Sequence, residues 1–117
     1  MTEEKAFSFL PMPDRSSKPR TKGMTMCLDQ GLGLKNIEDL LTICAEYVDL
    51  WKLGWATTQL QSREIVRKKV ELLRSQNISV CNGGTLLELS EHQGKAEELF
   101  TELVEIGCDV TEISSGV

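Results

Sequence analysis

The segment VDLWKLG (residues 48–54) carries the pattern that decides the fold. It is a short apolar run in which side chains alternate as in a β-strand, so Lys52 shares one side with aliphatic residues while Trp51 and Leu53 lie on the other. A glycine ends the run, and an amphipathic helical pattern follows it. Similar polar or glycine-containing strand ends occur in CLDQGLG (residues 27–33), VCNGG (residues 80–84) and TEISSG (residues 111–116).

The repeated order of strand, turn and helix predicts an α/β fold. Parallel strands joined by helices form one sheet, and such sheets carry their chemistry at the carboxyl ends of the strands. Four such units are half of a (β/α)8 TIM-type barrel, which typically has ~250 residues. We therefore predict a half-barrel with four parallel strands, at residues 24–29, 48–54, 78–82 and 110–114.

The chain is predicted to have two parts. Residues 1–23 hold all three prolines and predict an irregular lead-in, whereas residues 24–117 carry the repeated units. Within the repeats, capping residues predict where helices begin: Asn36 for the first helix, Ser62 for the second and Thr85, with Glu88 in capping-box spacing, for the third.

Composition excludes several classes of function. The formal net charge of -5 argues against a nucleic-acid-binding or anionic-membrane-binding protein. No apolar run reaches the ~18 residues of a membrane span, and the polar start does not resemble a signal peptide, so we expect a cytoplasmic protein. The four cysteines have no CxxC spacing and are expected to be reduced and buried. His92 is the only histidine, which argues against a zinc site or a Ser-His-Asp triad.

Lys52 is the strongest candidate for a functional side chain. A lysine among strand apolars is costly to bury, so its ammonium group should project into a polar mouth at the strand end. There it can bind a carboxylate or phosphate, or act in acid-base chemistry. The alternative is a structural lysine that is ion-paired or reaches solvent along its stem.

Two carboxylates and a glycine pair are expected near the same rim. Asp29 and Glu112 follow the first and fourth predicted strands and are the hard oxygen ligands that Mg²⁺ accepts, although each is equally well explained as a turn or cap residue. Gly83, Gly84 and Thr85 precede a helix, where free N–H groups favour an anion. A purely steric need for glycine at this turn is the alternative.

Four colinear runs resemble one known family over residues 5–117. The sequence is similar to the phosphosulfolactate synthase family of coenzyme M biosynthesis, which implies a (β/α)8 barrel that uses Mg²⁺ to add sulfite to phosphoenolpyruvate, giving (2R)-phospho-3-sulfolactate. The matching runs are KPRTKGMTMCLDQGLG (residues 18–33), AEYVDLWKLGWATTQL (residues 45–60), NGGTLLEL (residues 82–89) and GCDVTEISSG (residues 107–116).

The resemblance assigns a role to each rim residue. It implies catalytic roles for Lys52 and Glu112 and a Mg²⁺ site at Asp29 and Glu112. It also implies substrate contacts, for phosphoenolpyruvate and sulfite, at Gly83, Gly84, Thr85 and Ser114. Two positions depart from the family pattern: where the family tends to read GWGTS and EISDG, this chain has GWATT (residues 54–58) and EISSG (residues 112–116).

Two other functions stay open on sequence grounds. One is a non-catalytic relative with a protein-level, stress-related role, which the serine at position 115 favours. The other is a different barrel lyase or aldolase that acts on a phosphorylated oxoacid. In a half-barrel, unpaired strand edges promote self-association, so we expect a homo-oligomer. We also expect the 117-residue chain to be inactive by itself.

Overall fold

The computed structural model of the chain describes residues 4–116. These residues form a three-stranded parallel sheet in the order β1-β2-β3, with helices in the connections. The strands are β1 (Met26–Asp29), β2 (Leu50–Leu53) and β3 (Ser79–Asn82). The α-helices are α1 (Leu34–Cys44), α2 (Arg63–Ser75), α3 (Thr85–His92) and α4 (Ala96–Ile106), and short 3₁₀ turns lie at Ala45–Tyr47 and Thr57–Leu60.

One face of the sheet packs against the helices and forms the core. Trp51, Leu53 and Val80 on this face are each at most 2% exposed, because aliphatic side chains of α1 and α2 cover them. These helix residues are Ile37, Leu41, Val66, Val70 and Leu73. The predicted alternation along β2 is confirmed, since Trp51 and Leu53 are buried while Leu50 and Lys52 are only half-buried.

The opposite face of the sheet is open. In register, Leu28 of β1 lies beside Lys52 of β2, which lies beside Cys81 of β3. Met26 and Leu28 are 52% and 45% exposed on this face. The described strands therefore form an α/β layer with one covered and one uncovered side, and closure into a barrel stays a prediction.

The predicted fourth strand at residues 110–114 is not among the strands that the structure describes. The backbone N–H groups of Asp109 and Val110 both donate to the Val80 carbonyl, at 3.2 and 3.3 Å, but the Val80 N–H donates to the Asp109 carboxylate at 2.8 Å. A side chain thus takes the place of the backbone carbonyl that a ladder needs. Residues 109–116 instead form an irregular segment, called the strap below.

Two of the three predicted helix starts are corrected. Ser62 caps α2 as predicted, and its hydroxyl accepts from the Ile65 N–H. Asn36, however, lies inside α1, whose N-cap is Gly33, because the turn after β1 closes on the Asp29 carboxylate and the helix begins sooner. Thr85 is the first residue of α3 rather than its cap, since Gly84 before it already has helical dihedral angles.

Basic side chains fasten the irregular lead-in (residues 4–25) to the amino-terminal end of the sheet. Arg20 forms an ion pair with Asp49 at 2.8 Å, with both side chains at most 5% exposed. Arg15 donates to the Tyr47 carbonyl at 2.9 Å, and Lys18 donates to the carbonyls that follow α2. These three basic side chains are therefore structural, since they satisfy carbonyl groups at helix ends and pair with Asp49.

All four cysteines are free thiols. Cys81 is buried, and Cys27, Cys44 and Cys108 are half-buried. Burial raises the pKa of the Cys108 thiol to about 12, so this thiol stays protonated and is a poor nucleophile at neutral pH. Among residues 4–116, no helix is both long and apolar enough to cross a bilayer.

Candidate functional site

An ion pair marks the carboxyl end of β2. The ammonium group of Lys52 lies 2.7 Å from one carboxylate oxygen of Glu112, and the two side chains are 22% and 29% exposed. The strand alternation directs Lys52 to the open face, beside Leu28 and Cys81. The structure therefore brings together the two residues that the sequence singled out for catalysis, at a place that solvent reaches.

The glycine pair after β3 shapes this site from the side of α3. The Gly84 N–H donates to the second oxygen of Glu112 at 2.8 Å, and the Gly83 N–H extends the sheet by one bond to the Leu53 carbonyl. A Cβ at Gly83 would lie only 3.3 Å from Cε of Lys52. A Cβ at Gly83 would also lie 3.0 Å from the Trp55 backbone nitrogen, so the loop after β2 and the lysine stem together leave little room for a side chain here.

The strap contacts the turn at Gly83, Gly84 and Thr85 through Ser114. The Ser114 hydroxyl donates to a carboxylate oxygen of Glu88 at 2.7 Å. A Cβ at Gly84 would lie 2.4 Å from the Ser114 Oγ, so the strap crosses directly over the start of α3. Thr85 begins that helix and is half-buried. Gly83, Gly84 and Ser114 thus surround the ion pair, and their polar atoms contact protein groups.

Asp29 lies apart from this site, which corrects the expectation of a shared rim. Its carboxylate is 1% exposed on the helix-covered face and forms an ion pair with Lys69, also 1% exposed, at 3.0 Å. One oxygen accepts from the Gly31 and Leu32 N–H groups, and the other also accepts from the Trp51 indole at 3.1 Å. Asp29 is therefore a turn-forming residue with a buried counter-ion.

Hydrogen bonding sets the charge state of both carboxylates. For Glu112, the bond from Lys52 and then that from the Gly84 N–H lower the pKa, and partial burial opposes them. For Asp29, burial acts to raise the pKa, but the hydrogen bonds from Leu32, Lys69 and other donors outweigh it and leave the pKa below its ordinary value. Both groups are ionised at neutral pH.

The described residues do not form a Mg²⁺ site. Within residues 4–116, no group of three or more His, Cys, Asp and Glu side chains is close enough to hold a metal ion. Protein donors engage both oxygens of Asp29 and both oxygens of Glu112, and an ammonium group next to each carboxylate repels a cation. The side chains of Asp29 and Glu112 lie on opposite faces, so the fold does not bring them together, and a shared Mg²⁺ site stays a prediction of the resemblance.

Sequence reasoning missed two polar side chains with structural roles, one at Asp29 and one beside the site. Lys69 is the buried partner of Asp29, and its place three residues after Val66 and four before Leu73 puts it on the apolar face of α2, a signal present in the sequence. Asn82 donates to the Trp55 carbonyl at 3.1 Å and accepts from the Thr58 hydroxyl at 3.0 Å. These contacts join the loop after β2 to the end of β3. Only the folded structure reveals them, because no sequence pattern links these residues.

Comparison with known proteins gives a consistent relationship. The profile of the (2R)-phospho-3-sulfolactate synthase (ComA) family matches residues 13–117. A phosphosulfolactate synthase of Methanothermobacter thermautotrophicus is 44% identical over 111 residues, which are 95% of this chain and 43% of that protein. Proteins of the same name in Methanocaldococcus jannaschii and Bacillus subtilis are 37% and 33% identical, over 96% and 92% of this chain and 42% of each protein.

The profile match covers the lead-in from residue 13 onward, the three strands and the strap, and therefore every residue of the site. The chain spans about two fifths of the length of these curated relatives. Because the family profile covers most of its length, this chain belongs to the phosphosulfolactate synthase family.

Proposed function

We propose that this chain carries the strand-end lysine site of a phosphosulfolactate synthase. The proposed reaction adds sulfite to phosphoenolpyruvate and gives (2R)-phospho-3-sulfolactate. The observation that supports it is the Lys52–Glu112 pair at the carboxyl end of β2, where a parallel sheet presents its chemistry. The relatives that bear this enzyme's name support the family assignment, and the reaction of this chain is our inference.

The chemistry fits a fixed cation. The sulfur lone pair of sulfite forms a bond to the methylene carbon, and the double-bond electrons move toward the carboxylate to give an aci-carboxylate. A proton then reaches the carbon that bears the phosphate, and no group leaves. Lys52 stabilises the growing negative charge, because an ammonium group at a partly desolvated site offsets it more strongly than water does.

Mg²⁺ enters the proposal only because the resemblance to the family implies it. The contacts of Asp29 and Glu112 do not fit the ion, so we derive no step through it. The free thiols agree with a reducing compartment, and the cytoplasm stays the proposed location.

A chimera tests the function of these residues. The segment of the Methanothermobacter relative that matches this chain is replaced by residues 5–117, and formation of phosphosulfolactate from phosphoenolpyruvate and sulfite is followed by mass spectrometry. At 44% identity we expect an active chimera. If the chimera folds but forms no product while the parent enzyme is active, the proposal is contradicted. That result would favour the non-catalytic relative, which the serine at position 115 also favours.

The 117-residue chain by itself is proposed to be inactive and self-associating. The named relatives are more than twice as long, and Met26 and Leu28 expose apolar surface on the open face of the sheet. Apolar surface beside an unpaired strand edge promotes association. We expect sedimentation velocity to show dimers or larger species and the activity assay to show no product. An active monomer would contradict both parts.

A further inference from the structure

The strap (residues 109–116) is attached mainly by polar contacts. The Asp109 carboxylate accepts from the Val80 N–H, Glu112 bridges Lys52 and the Gly84 N–H, and Ser114 bonds to α3. The strap buries little apolar surface, since Ile113 is 82% exposed. Its middle is therefore held on the body of the protein largely by the carboxylate of one residue.

That carboxylate, the one of Glu112, neutralises Lys52 directly. The Lys52 ammonium and the Gly84 N–H converge on the two oxygens of Glu112, at 2.7 and 2.8 Å. Under the proposed function, the same ammonium must face an anionic group of the substrate. While Glu112 offsets the charge of this ammonium group, a ligand gains less electrostatic attraction there, so the two anions compete.

We propose that Glu112 is a displaceable counter-ion, which an anionic substrate replaces at Lys52 and thereby frees the strap. The inference rests on the proposed function for the identity of the substrate. It assigns to Glu112 the control of access to Lys52, in place of the metal ligation that the resemblance implied.

The exposure of the pair favours exchange of one anion for another. At 22% and 29% exposure, solvent reaches both side chains and partly screens the attraction between Lys52 and Glu112. Phosphoenolpyruvate carries both a phosphate and a carboxylate, and charge-assisted bonds to such groups are strong. A ligand with two anionic groups therefore competes well against a single carboxylate.

Amide hydrogen exchange of the 117-residue chain tests the attachment without any ligand. The probes are the Gly84 amide, whose acceptor is Glu112, and the Val110 amide, whose acceptor is Val80. We expect Glu112→Gln to speed exchange of both amides about tenfold, since local opening sets the rate. Gly84→Ala should speed exchange of the Val110 amide to a similar extent by steric pressure on the strap, with both charges intact.

A matched control removes one carboxylate elsewhere. Glu64 pairs with Lys68 on the surface of α2, so Glu64→Gln causes the same change of charge far from the strap in sequence. This variant should leave both exchange rates unchanged. Wild-type exchange of both amides in Glu112→Gln would overturn the proposal.

Phosphoenolpyruvate tests the displacement itself. Added to the wild-type chain, it should speed exchange at Gly84 and Val110 more than potassium chloride of equal ionic strength, and it should have no such effect in Lys52→Met. If phosphoenolpyruvate speeds neither amide beyond the chloride control, displacement is overturned, whatever the activity of the chimera. If phosphoenolpyruvate speeds exchange of both amides but the chimera forms no product, Glu112 is a displaceable counter-ion and the proposed reaction is rejected.

Discussion

Replacing Lys69 by methionine is expected to lower the free energy of unfolding by about 3–5 kcal/mol. The methionine fills the space of the lysine stem but leaves the Asp29 carboxylate, 1% exposed, without its counter-ion. A buried charge without a partner carries its full desolvation cost. Because small domains have only about 5–15 kcal/mol of stability, urea denaturation followed by circular dichroism should show a large fall in the midpoint.

The neighbouring lysine provides the control for that experiment. Lys68 is 53% exposed and pairs with Glu64 on the surface, so Lys68→Met should change stability by less than about 1 kcal/mol. Combining Lys69→Met with Asp29→Asn should recover part of the loss, since the unpaired charge is then gone. Equal midpoints for Lys68→Met and Lys69→Met would show that the buried pair contributes no more than a surface pair.

Replacing Lys52 by methionine in the active chimera is expected to lower kcat/KM by roughly 100-fold or more, as removal of one charge-stabilising group typically does. The ammonium group is the cation at the carboxyl end of β2 that the proposed reaction uses to stabilise the aci-carboxylate. Steady-state formation of phosphosulfolactate over a range of phosphoenolpyruvate concentrations measures this effect.

Lys52→Arg separates charge from geometry in the same assay. The arginine keeps the positive charge but is larger, and the narrow approach of the lysine stem to Gly83 leaves little room for a guanidinium group. We expect activity between that of the parent and that of Lys52→Met. Unchanged kcat/KM in Lys52→Met would remove this residue from the mechanism.

The strands and helices that the sequence predicted are those with a strong periodic pattern. Alternation along residues 48–54 identified β2 and the face of the sheet on which Lys52 lies, and Ser62 indicated the start of α2. The predicted fourth strand at residues 110–114 failed because the Asp109 side chain takes the hydrogen bond that a strand would use. A period of two cannot reveal that a carboxylate will replace a backbone carbonyl.

The site was predictable only where contacts follow from strand direction. The sequence placed Lys52 and Glu112 at strand ends but did not pair them; they meet because the strap carries Glu112 over the start of α3 to the carboxyl end of β2. Asp29 was expected at one rim with Glu112, but its side chain lies on the helix-covered face, and that orientation depends on the register between β1 and β2. Its true partner, Lys69, comes from a helix 40 residues later in the chain, and only the packing of α2 on the sheet brings the two together.

The basic lead-in makes assembly of this layer depend on the order of synthesis. Arg15, Lys18 and Arg20 are synthesised before the partners that join them to the body of the protein, which lie 26 to 59 residues further along the chain. Until Gln76 and Asn77 have been made, Lys18 lacks its acceptors at the end of α2, and this part of the attachment of the lead-in is missing. A nascent chain arrested before Asn77 should therefore expose the lead-in to protease, and one arrested well after it should protect the same residues.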